Sequence, residues 1–362
     1  MSSSPWRARL DSLDLSDAAR EFVEELIDEN ERLRAFLAEH RAAPATPAPR
    51  EAATRSLVLD TRAYADSRML VTLSAAGLAK RTEINAYGRQ RRGGVGNFDL
   101  RVRDDDPARF LVVADVGDHL LLLTHSGRVY RVAVAALPLT ERNGKGEPVG
   151  PLCAMPDEER LAAVLVLTEA DLQRYIVLAS QTGFVKRMRA HYFGSTYEQG
   201  KTVLDPRQTG GPAAAMCLSG GSADVLLVSR QAMATRFSIS VAPLQAAPGI
   251  KLRADDRLIG VVAVSEESAV AVITADGLGT RRLMEGFTPN KSPGAAGKIM
   301  MKTDEVAGVV LASDDAELIV LTRFGKVVRF EANEIPAKTA PVQGVDIVEV
   351  RGDAVTAAAS LE

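Results

Sequence analysis

The chain has 362 residues, 46% of them hydrophobic and 25% charged, with a formal net charge of −3 and two cysteines, Cys153 and Cys217. That length holds two or three ordinary domains or one large repeat architecture, and the composition is that of a soluble globular protein. Two cysteines exclude a disulfide framework and point to a reducing cytoplasm. No apolar run approaches the roughly 18 residues of a membrane span, and the opening MSSSPWRARLDSLDL has no secretory h-region.

Residues 1–41 carry six arginines and ten acids, a net charge of −4, which leaves the remainder near +1. Within them, residues 16–40 are predicted to form one helix, with Ser16 as N-cap and Asp17 and Glu21 favouring its start. Val23, Leu26, Asn30, Leu33 and Leu37 fit alternating a and d positions, and an Asn at an a position fixes register in a parallel coil. Two readings stand: a homodimer formed through residues 16–40, or a helix docked on its own or another protein. Residues 42–56 read as an Ala/Pro linker, extended and semi-rigid.

From residue 57 to 362 the chain repeats. The unit is an apolar strand ending in Ser or Thr, a turn, then a strand carrying Arg. Its six copies are LSAAGLAKR, LTHSGRVYR, LASQTGFVKR, VSRQAMATR, ITADGLGTR and LTRFGKVVR. The turn holds Gly77, Gly127, Gly183, Gly277 and Gly325, with Ala232 in the fourth copy. Four residues on stand Arg81, Arg131, Arg187, Arg236, Arg281 and Arg329; three residues before the turn stand Ser74, Thr124, Ser180, Ser229, Thr274 and Thr322. Glycine reaches the positive φ of a tight hairpin, and the β-branched and Leu-rich flanks suit pleated, buried strands. Further strands follow each hairpin, as in RFLVVADV and RLAAVLVL. One four-stranded sheet of this size cannot bury both faces, whereas six arranged radially can. The expected fold is therefore all-β, a six-bladed propeller over 57–362, with residues 57–61 (LVLDT) helping to close the ring.

Enzyme motifs are missing. The four histidines are scattered without metal-ligand spacing, the cysteines form no CxxC, and there is no G-x-S-x-G. GSTYEQGKT (194–202) imitates a phosphate-binding loop but has Ser195 where the motif needs Gly, and it lies between predicted strands. RGD at 351–353 reads as a chance match. No cofactor or metal is expected.

Residues 77–103 hold seven Lys or Arg against Glu83 and Asp99, a local charge of +5. The charge is densest in YGRQRRGGVGNF, where Arg89, Arg91 and Arg92 precede Gly93, Gly94 and Gly96. Guanidinium groups make bidentate contacts with phosphate, and glycines let backbone N–H groups approach an anion. The pair suits a nucleic-acid backbone and contains no base-reading logic.

This stretch resembles the first blade of the DNA gyrase A C-terminal domain, whose members carry a box of the form QRRGGKG. Here the box is Gln90, Arg91, Arg92, Gly93, Gly94, Val95 and Gly96, with Val95 where the family usually has a basic residue. TERNGKGEPV (140–149), YEQGKTV (197–203), AAPGIKL (246–252) and SPGAAGKIM (292–300) read as decayed boxes. Such decay also resembles the related component of topoisomerase IV. The resemblance covers roughly residues 57–355 and implies a bacterial, nucleoid-associated six-bladed β-pinwheel that binds double-stranded DNA round its rim and wraps it. It also implies gyrase or topoisomerase IV subunits as partners. The family's cleavage domain with its catalytic tyrosine does not precede the propeller here, so the resemblance implies a free-standing module without cleavage or ATPase activity.

The DNA-contacting residues expected on this reading are the box with Arg89, together with Lys145, Lys201, Lys251, Lys298 and Lys302 on or beside the box-equivalent loops. Arg131, Lys186, Arg187, Arg281 and Arg282 are the rim candidates among the repeat strands, although strict repetition of an arginine argues first for a structural role. Aromatic residues form no stacking platform, which disfavours single-strand binding. The rival reading is a protein-interaction propeller that docks on a topoisomerase or another partner through the ring or the N-terminal helix.

Overall fold

The computed structural model describes residues 68–217, 224–285 and 287–361. The helix read at 16–40, the linker at 42–56 and the closing strand read at 57–61 lie outside them. Among the described residues, each repeat folds as an antiparallel hairpin followed by a third antiparallel strand. In the first, Arg68–Ser74 pairs with Leu78–Glu83 on one side and Ala108–Asp115 on the other. The same unit recurs in His119–Thr124, Arg128–Ala133 and Leu161–Leu167, and in Tyr175–Ser180, Phe184–Arg189 and Pro212–Cys217. It recurs again in Asp224–Ser229, Met233–Ser238 and Leu258–Val264, in Ala269–Thr274, Leu278–Leu283 and Val306–Leu311, and in Glu317–Thr322, Lys326–Glu331 and Val355–Leu361.

The outermost strand of each sheet comes from the blade that follows. Glu147–Pro148, beyond the second hairpin, pairs with the first blade's Leu78–Glu83. Lys201–Thr202, Ala247–Pro248, Lys298–Ile299 and Val345–Asp346 serve the second to fifth blades in the same way. The series closes on itself, because Asn97–Phe98 of the first blade pairs with Lys326–Glu331 of the last. The third strands form the inner wall, and Val355–Leu361 of the last blade lies against Ala108–Asp115 of the first. The ring is thus a closed six-bladed β-propeller, shut by the loop that carries the glycine-arginine box.

Packing follows the pleat. In Arg68–Ser74, Met69, Val71 and Leu73 join a core shared with the second blade, while Leu70 faces a core shared with the last. Six such cores occupy the gaps between neighbouring blades, so each sheet buries both faces, as the period of two requires. The inner strands crowd round a channel of about 720 Å³, and small residues relieve the crowding. A Cβ on Gly308 would stand 3.1 Å from Ala358 Cβ.

The repeated residues have repeated tasks. Turn glycines adopt positive φ, from 77° at Gly127 to 97° at Gly77. The buried Ser or Thr before the turn accepts the N–H beyond it, as Ser74 does from Leu78 at 2.9 Å and Thr274 from Leu278 at 2.9 Å. Five of the six repeat arginines reach into the next blade beside the end of its hairpin, while the Arg131 Nε has no partner. Arg81 Nε donates to the Leu137 carbonyl at 2.9 Å, Arg187 Nη1 to Ile239 at 2.9 Å and Arg236 Nη1 to Met284 and Phe287 at 3.2 Å. Arg281 Nε donates to Ile335 at 2.7 Å, and Arg329 Nη1 to Ile84 and Tyr87 of the first blade at 3.1 and 3.0 Å. Each of these guanidiniums ties one blade to carbonyls of the next, some of which, such as Ile239 and Ile84, also accept a backbone N–H within their own turn.

Ala232 departs from the turn pattern, holding φ of 57° with a side chain fully buried. A left-handed L-residue costs about 1–2 kcal/mol, and the extra chain entropy of glycine offsets roughly 0.5–1 kcal/mol of the relief. Ala232→Gly is therefore expected to raise stability by about 0.5–1 kcal/mol in urea unfolding. Gly325→Ala should lower it by at least about 2 kcal/mol, since its Cβ would stand 2.1 Å from the Leu100 carbonyl oxygen.

Candidate nucleic-acid interface

The segments that precede the donated outer strands form the edge of the ring. The box is the first of them, and its polar groups divide between holding the ring and facing solvent. The Gln90 N–H donates to the Arg329 carbonyl at 2.7 Å and the Gly93 N–H to Ile347 at 2.7 Å; the Gly94 carbonyl accepts from Glu349 at 3.1 Å. Arg89 pairs with Glu317 at 2.9 Å and with Glu331. The Arg92 N–H donates to Glu334 at 3.1 Å and its Nη1 to the Asp346 carbonyl at 2.9 Å. Arg91 is exposed and makes no hydrogen bond or ion pair among the described residues. The glycines divide similarly. A Cβ on Gly96 would press to 2.9 Å from Val328 of the last blade, whereas Gly93, at φ of 80°, opens on empty space.

A buried polar quartet anchors the end of this loop. Asp99 accepts from Thr72 Oγ1 at 2.5 Å and from the Tyr87 hydroxyl, and lies 2.5 Å from Lys80 Nζ. Lys80 also donates to the Glu141 carbonyl at 3.1 Å. Burial lowers the Lys80 pKa from its ordinary value, with the Asp99 carboxylate pulling it back up; burial, then that same carboxylate, raises the Tyr87 hydroxyl.

The second edge loop repeats the first at an offset of 50 residues. Thr140 donates its N–H to the Arg81 carbonyl at 3.0 Å as Gln90 does to Arg329. Asn143 takes the left-handed conformation of Gly93, with φ of 57°. A Cβ on Gly144 would meet Thr140 at 2.6 Å, as one on Gly94 would meet Gln90 at 2.7 Å. Lys145 therefore stands where the box has Val95, and Arg142 where it has Arg92; both are exposed. The fifth loop shares the anchor, with the Asn290 N–H on the Arg236 carbonyl at 2.6 Å. Neighbouring loops are tied backbone to backbone. Arg101 donates to Gly144 at 3.0 Å, Lys302 to Val342 at 2.9 Å, and Gly294 to Gly249 at 2.8 Å. Ile250–Lys251 pairs in parallel with Ala295–Ala296.

The other candidates separate by exposure. Lys201 is exposed and pairs with Glu198 at 3.3 Å, Lys298 lies over the Phe287 ring at 5.5 Å, and Lys251 and Lys302 are exposed on the edge. Lys186 is half-buried and donates to the Val203 carbonyl at 3.1 Å; Arg187 is half-buried against the Tyr175 ring at 4.8 Å. Arg131 is half-buried, its N–H on Gln199 at 2.7 Å. Arg281 and Arg282 are only 5% and 8% exposed, which corrects their reading as a solvent-facing basic pair. Arg281 is the staple to the last blade, and Arg282 occupies the inter-blade place that Phe237 and Phe330 fill elsewhere, its Nε and Nη1 without partners. A strand's two faces alternate, so adjacent arginines point into opposite gaps between blades. GSTYEQGKT leads into the strand Lys201–Thr202 rather than a helix. Burial pushes the Cys153 thiol up to about 11 and raises Cys217 further, so neither is a reactive thiolate. Arg142 was missed by sequence reading; its signal was the 50-residue offset from Arg92.

The model of the DNA gyrase C-terminal domain β-propeller matches residues 68–113, 118–168, 174–203, 223–265 and 316–359. The chain is 30% identical over 315 residues to the DNA gyrase A protein of Mycobacterium leprae, covering 83% of this chain and 24% of that protein. It is 29% identical over 294 residues to the DNA gyrase A protein of Escherichia coli, covering 79% and 33%. The chain thus spans a quarter to a third of the length of these relatives. A solved structure of the DNA gyrase A C-terminal domain superposes with a TM-score of 0.73 at 20% identity, covering 82% of this chain and 100% of that one. The C-terminal domain of DNA topoisomerase IV gives 0.58 at 18%, covering 82% and 94%.

Asp99→Asn leaves the Lys80 ammonium buried without its counter-charge, and is expected to destabilise the propeller by about 3–5 kcal/mol in chemical unfolding. Arg281→Met strands the buried Ile335 carbonyl, and the same measurement should show a loss of about 1–3 kcal/mol.

Proposed function

The chain belongs to the DNA gyrase C-terminal domain family, and from that premise we propose that its edge binds and bends duplex DNA without regard to sequence, acting in DNA topology in company with topoisomerase subunits. The observation that carries the reading is the exposed, unpaired guanidinium of Arg91 on a loop braced at both ends, with Arg142 and Lys145 repeated on the loop hydrogen-bonded beside it. Free cations on fixed backbone bind phosphate without first breaking internal ion pairs, and duplex affinity rises as they release condensed counterions. The amides on these loops are Gln90 and Asn143, and the Asn143 Oδ1 is already engaged by Arg101 at 3.3 Å; the exposed cations engage phosphate, which positions a duplex without reading its sequence. Arg89 and Arg92 brace the loop and contribute field rather than the first contact. The ring is a non-catalytic scaffold in this reading, and it needs no cofactor.

Curvature is the second part of the proposal. Bending 20–30 bp by 40–90° costs on the order of 1–6 kcal/mol, which successive phosphate contacts along the edge must offset. Loop one, with Arg89, Arg91 and Arg92 and no acid between Gly88 and Gly96, carries the densest exposed positive charge, so DNA engages there first and follows the edge towards Lys298 and Lys302, where the fifth and sixth loops are tied.

Binding to a duplex of about one persistence length, ~150 bp, is expected to weaken by roughly 10³–10⁵ between 50 and 200 mM salt if 6–10 phosphates are contacted. Arg91→Ala should reduce the slope of log affinity against log salt by about 0.9 with unchanged thermal stability. The combined Arg91→Ala, Arg142→Ala and Lys145→Ala variant should lose the linking-number shift on a relaxed plasmid. A salt-insensitive complex, or an unchanged shift in the combined variant, would overturn the reading.

A further inference from the structure

The axial channel has two unlike ends. Its wall is built from Val, Ala, Leu and Gly of the inner strands, and the charged side chains that line it all gather at the end where the hairpin turns lie. Arg109 is the second residue of Ala108–Asp115, and Arg257 immediately precedes Leu258–Val264. Arg230 and Arg323 sit in the turns after Asp224–Ser229 and Glu317–Thr322. Backbone bonds fix them there. The Arg230 N–H donates to the Arg257 carbonyl at 2.8 Å, and the Arg323 carbonyl accepts from Ala108 at 3.0 Å.

Four arginines and Glu305 make up this charged lining, so the mouth holds a net charge of +3. Arg230 pairs with Glu305. Arg109, Arg257 and Arg323 make no ion pair among the described residues; Arg109 and Arg323 each stack on the neighbouring Phe110 or Phe324 ring at 5.7 Å. Arg109 belongs to the first blade and Arg257 to the fourth, so they face one another across the axis. Burial, and then the charge of Arg257, lowers the Arg109 pKa from its ordinary value; burial and Arg109 together hold His125 below the usual imidazole range. Like charges confined by an apolar wall concentrate the field on whatever anion enters.

The shape of that field selects the ligand. The edge loops point outward and suit the convex phosphate surface of a duplex, whereas these guanidiniums converge on one axis and suit something narrow enough to enter between them. We propose that the turn-side mouth of the channel binds a compact polyphosphate, a run of three or more phosphoryl groups held by Arg109, Arg257 and Arg323. Its source is free inorganic polyphosphate or the tail of a nucleoside triphosphate. The bonds are charge-assisted N–H···O contacts of the kind guanidinium forms best, and no covalent step is involved.

Calorimetric titration of the full chain with tripolyphosphate at low salt tests this. Saturable one-to-one binding is expected, weakened at least tenfold in Arg109→Gln/Arg257→Gln and also weakened in Arg323→Gln, but unchanged in Arg91→Ala. Duplex binding by the Arg109→Gln/Arg257→Gln variant should match the parent, which keeps this test independent of the edge. ATP in place of tripolyphosphate distinguishes the sources: binding of both supports a nucleotide tail, and binding of tripolyphosphate alone supports the free polymer. Absence of saturable binding overturns the proposal. So does a loss of binding in Arg91→Ala that Arg109→Gln/Arg257→Gln and Arg323→Gln do not share. Since Arg323 lies in an exposed turn, its variant keeps the test valid should the double substitution unfold the protein.

Discussion

A sheet of four short strands cannot keep water from both of its faces, and in this molecule it cannot even complete itself. Each blade supplies its hairpin and inner strand but takes its outermost strand from the blade that follows. The donated segments are two residues long, so ladder hydrogen bonds alone hold them weakly. They are secured by what lies around them: the turn carbonyl that accepts their N–H groups, the arginine that binds the adjoining 3-10 turn, and the apolar gap beneath. The glycine at five of the six turns and the Ser or Thr before every turn follow from the same need, because a donated strand passes directly over the turn. At Gly127, Gly277 and Gly325 a Cβ would stand within 2.2 Å of a crossing carbonyl.

Two populations of cations result, distinguished by what they touch rather than by where they fall in the repeat. The staples, Arg81, Arg187, Arg236, Arg281 and Arg329, spend their donors on carbonyls between blades. Their charge is largely internal to the fold. Those on the edge loops, above all Arg91, Arg142 and Lys145, keep theirs for solvent. The loop combines both roles within four residues, since Arg89 pairs with acids of the last blade and the Arg92 side chain bonds the Asp346 carbonyl, while Arg91 does neither. A loop that closes the ring is thereby a loop held still, which is the condition under which a few exposed charges present a defined surface to a polyanion.

Much of this was legible in the chain itself. Six copies of one hairpin, five of them with Gly four residues before the Arg, specify the sheet, the turn and the need for a radial arrangement, because each feature is local and recurs. Ala232 stood out at once as the odd turn residue, and its left-handed backbone is what the pattern requires. What lay between blades was not legible. Sequence gives the alternation along a strand but not which gap each face enters, so Arg281 and Arg282 read as an exposed pair when both are buried. The partner of the box was likewise invisible, since Glu317, Glu331 and Glu334 are more than 220 residues away from it. The mouth of the channel could not be read either, for it assembles single residues from separate blades that share no motif.

The closing contact sets a problem for the growing chain on the ribosome. Asn97 and Phe98 leave the ribosome about 230 residues before the strand they pair with, which begins at Lys326. Throughout that interval the first blade has a finished hairpin and a polar loop with nothing to lean on, and its face lined by Leu70 and Leu111 has no opposing wall. Pairing of such remote segments is slow, and uncovered strands invite association with other nascent chains. The density of charge round this loop keeps the waiting segment solvated, so the same arginines that steady the finished ring protect its unfinished form.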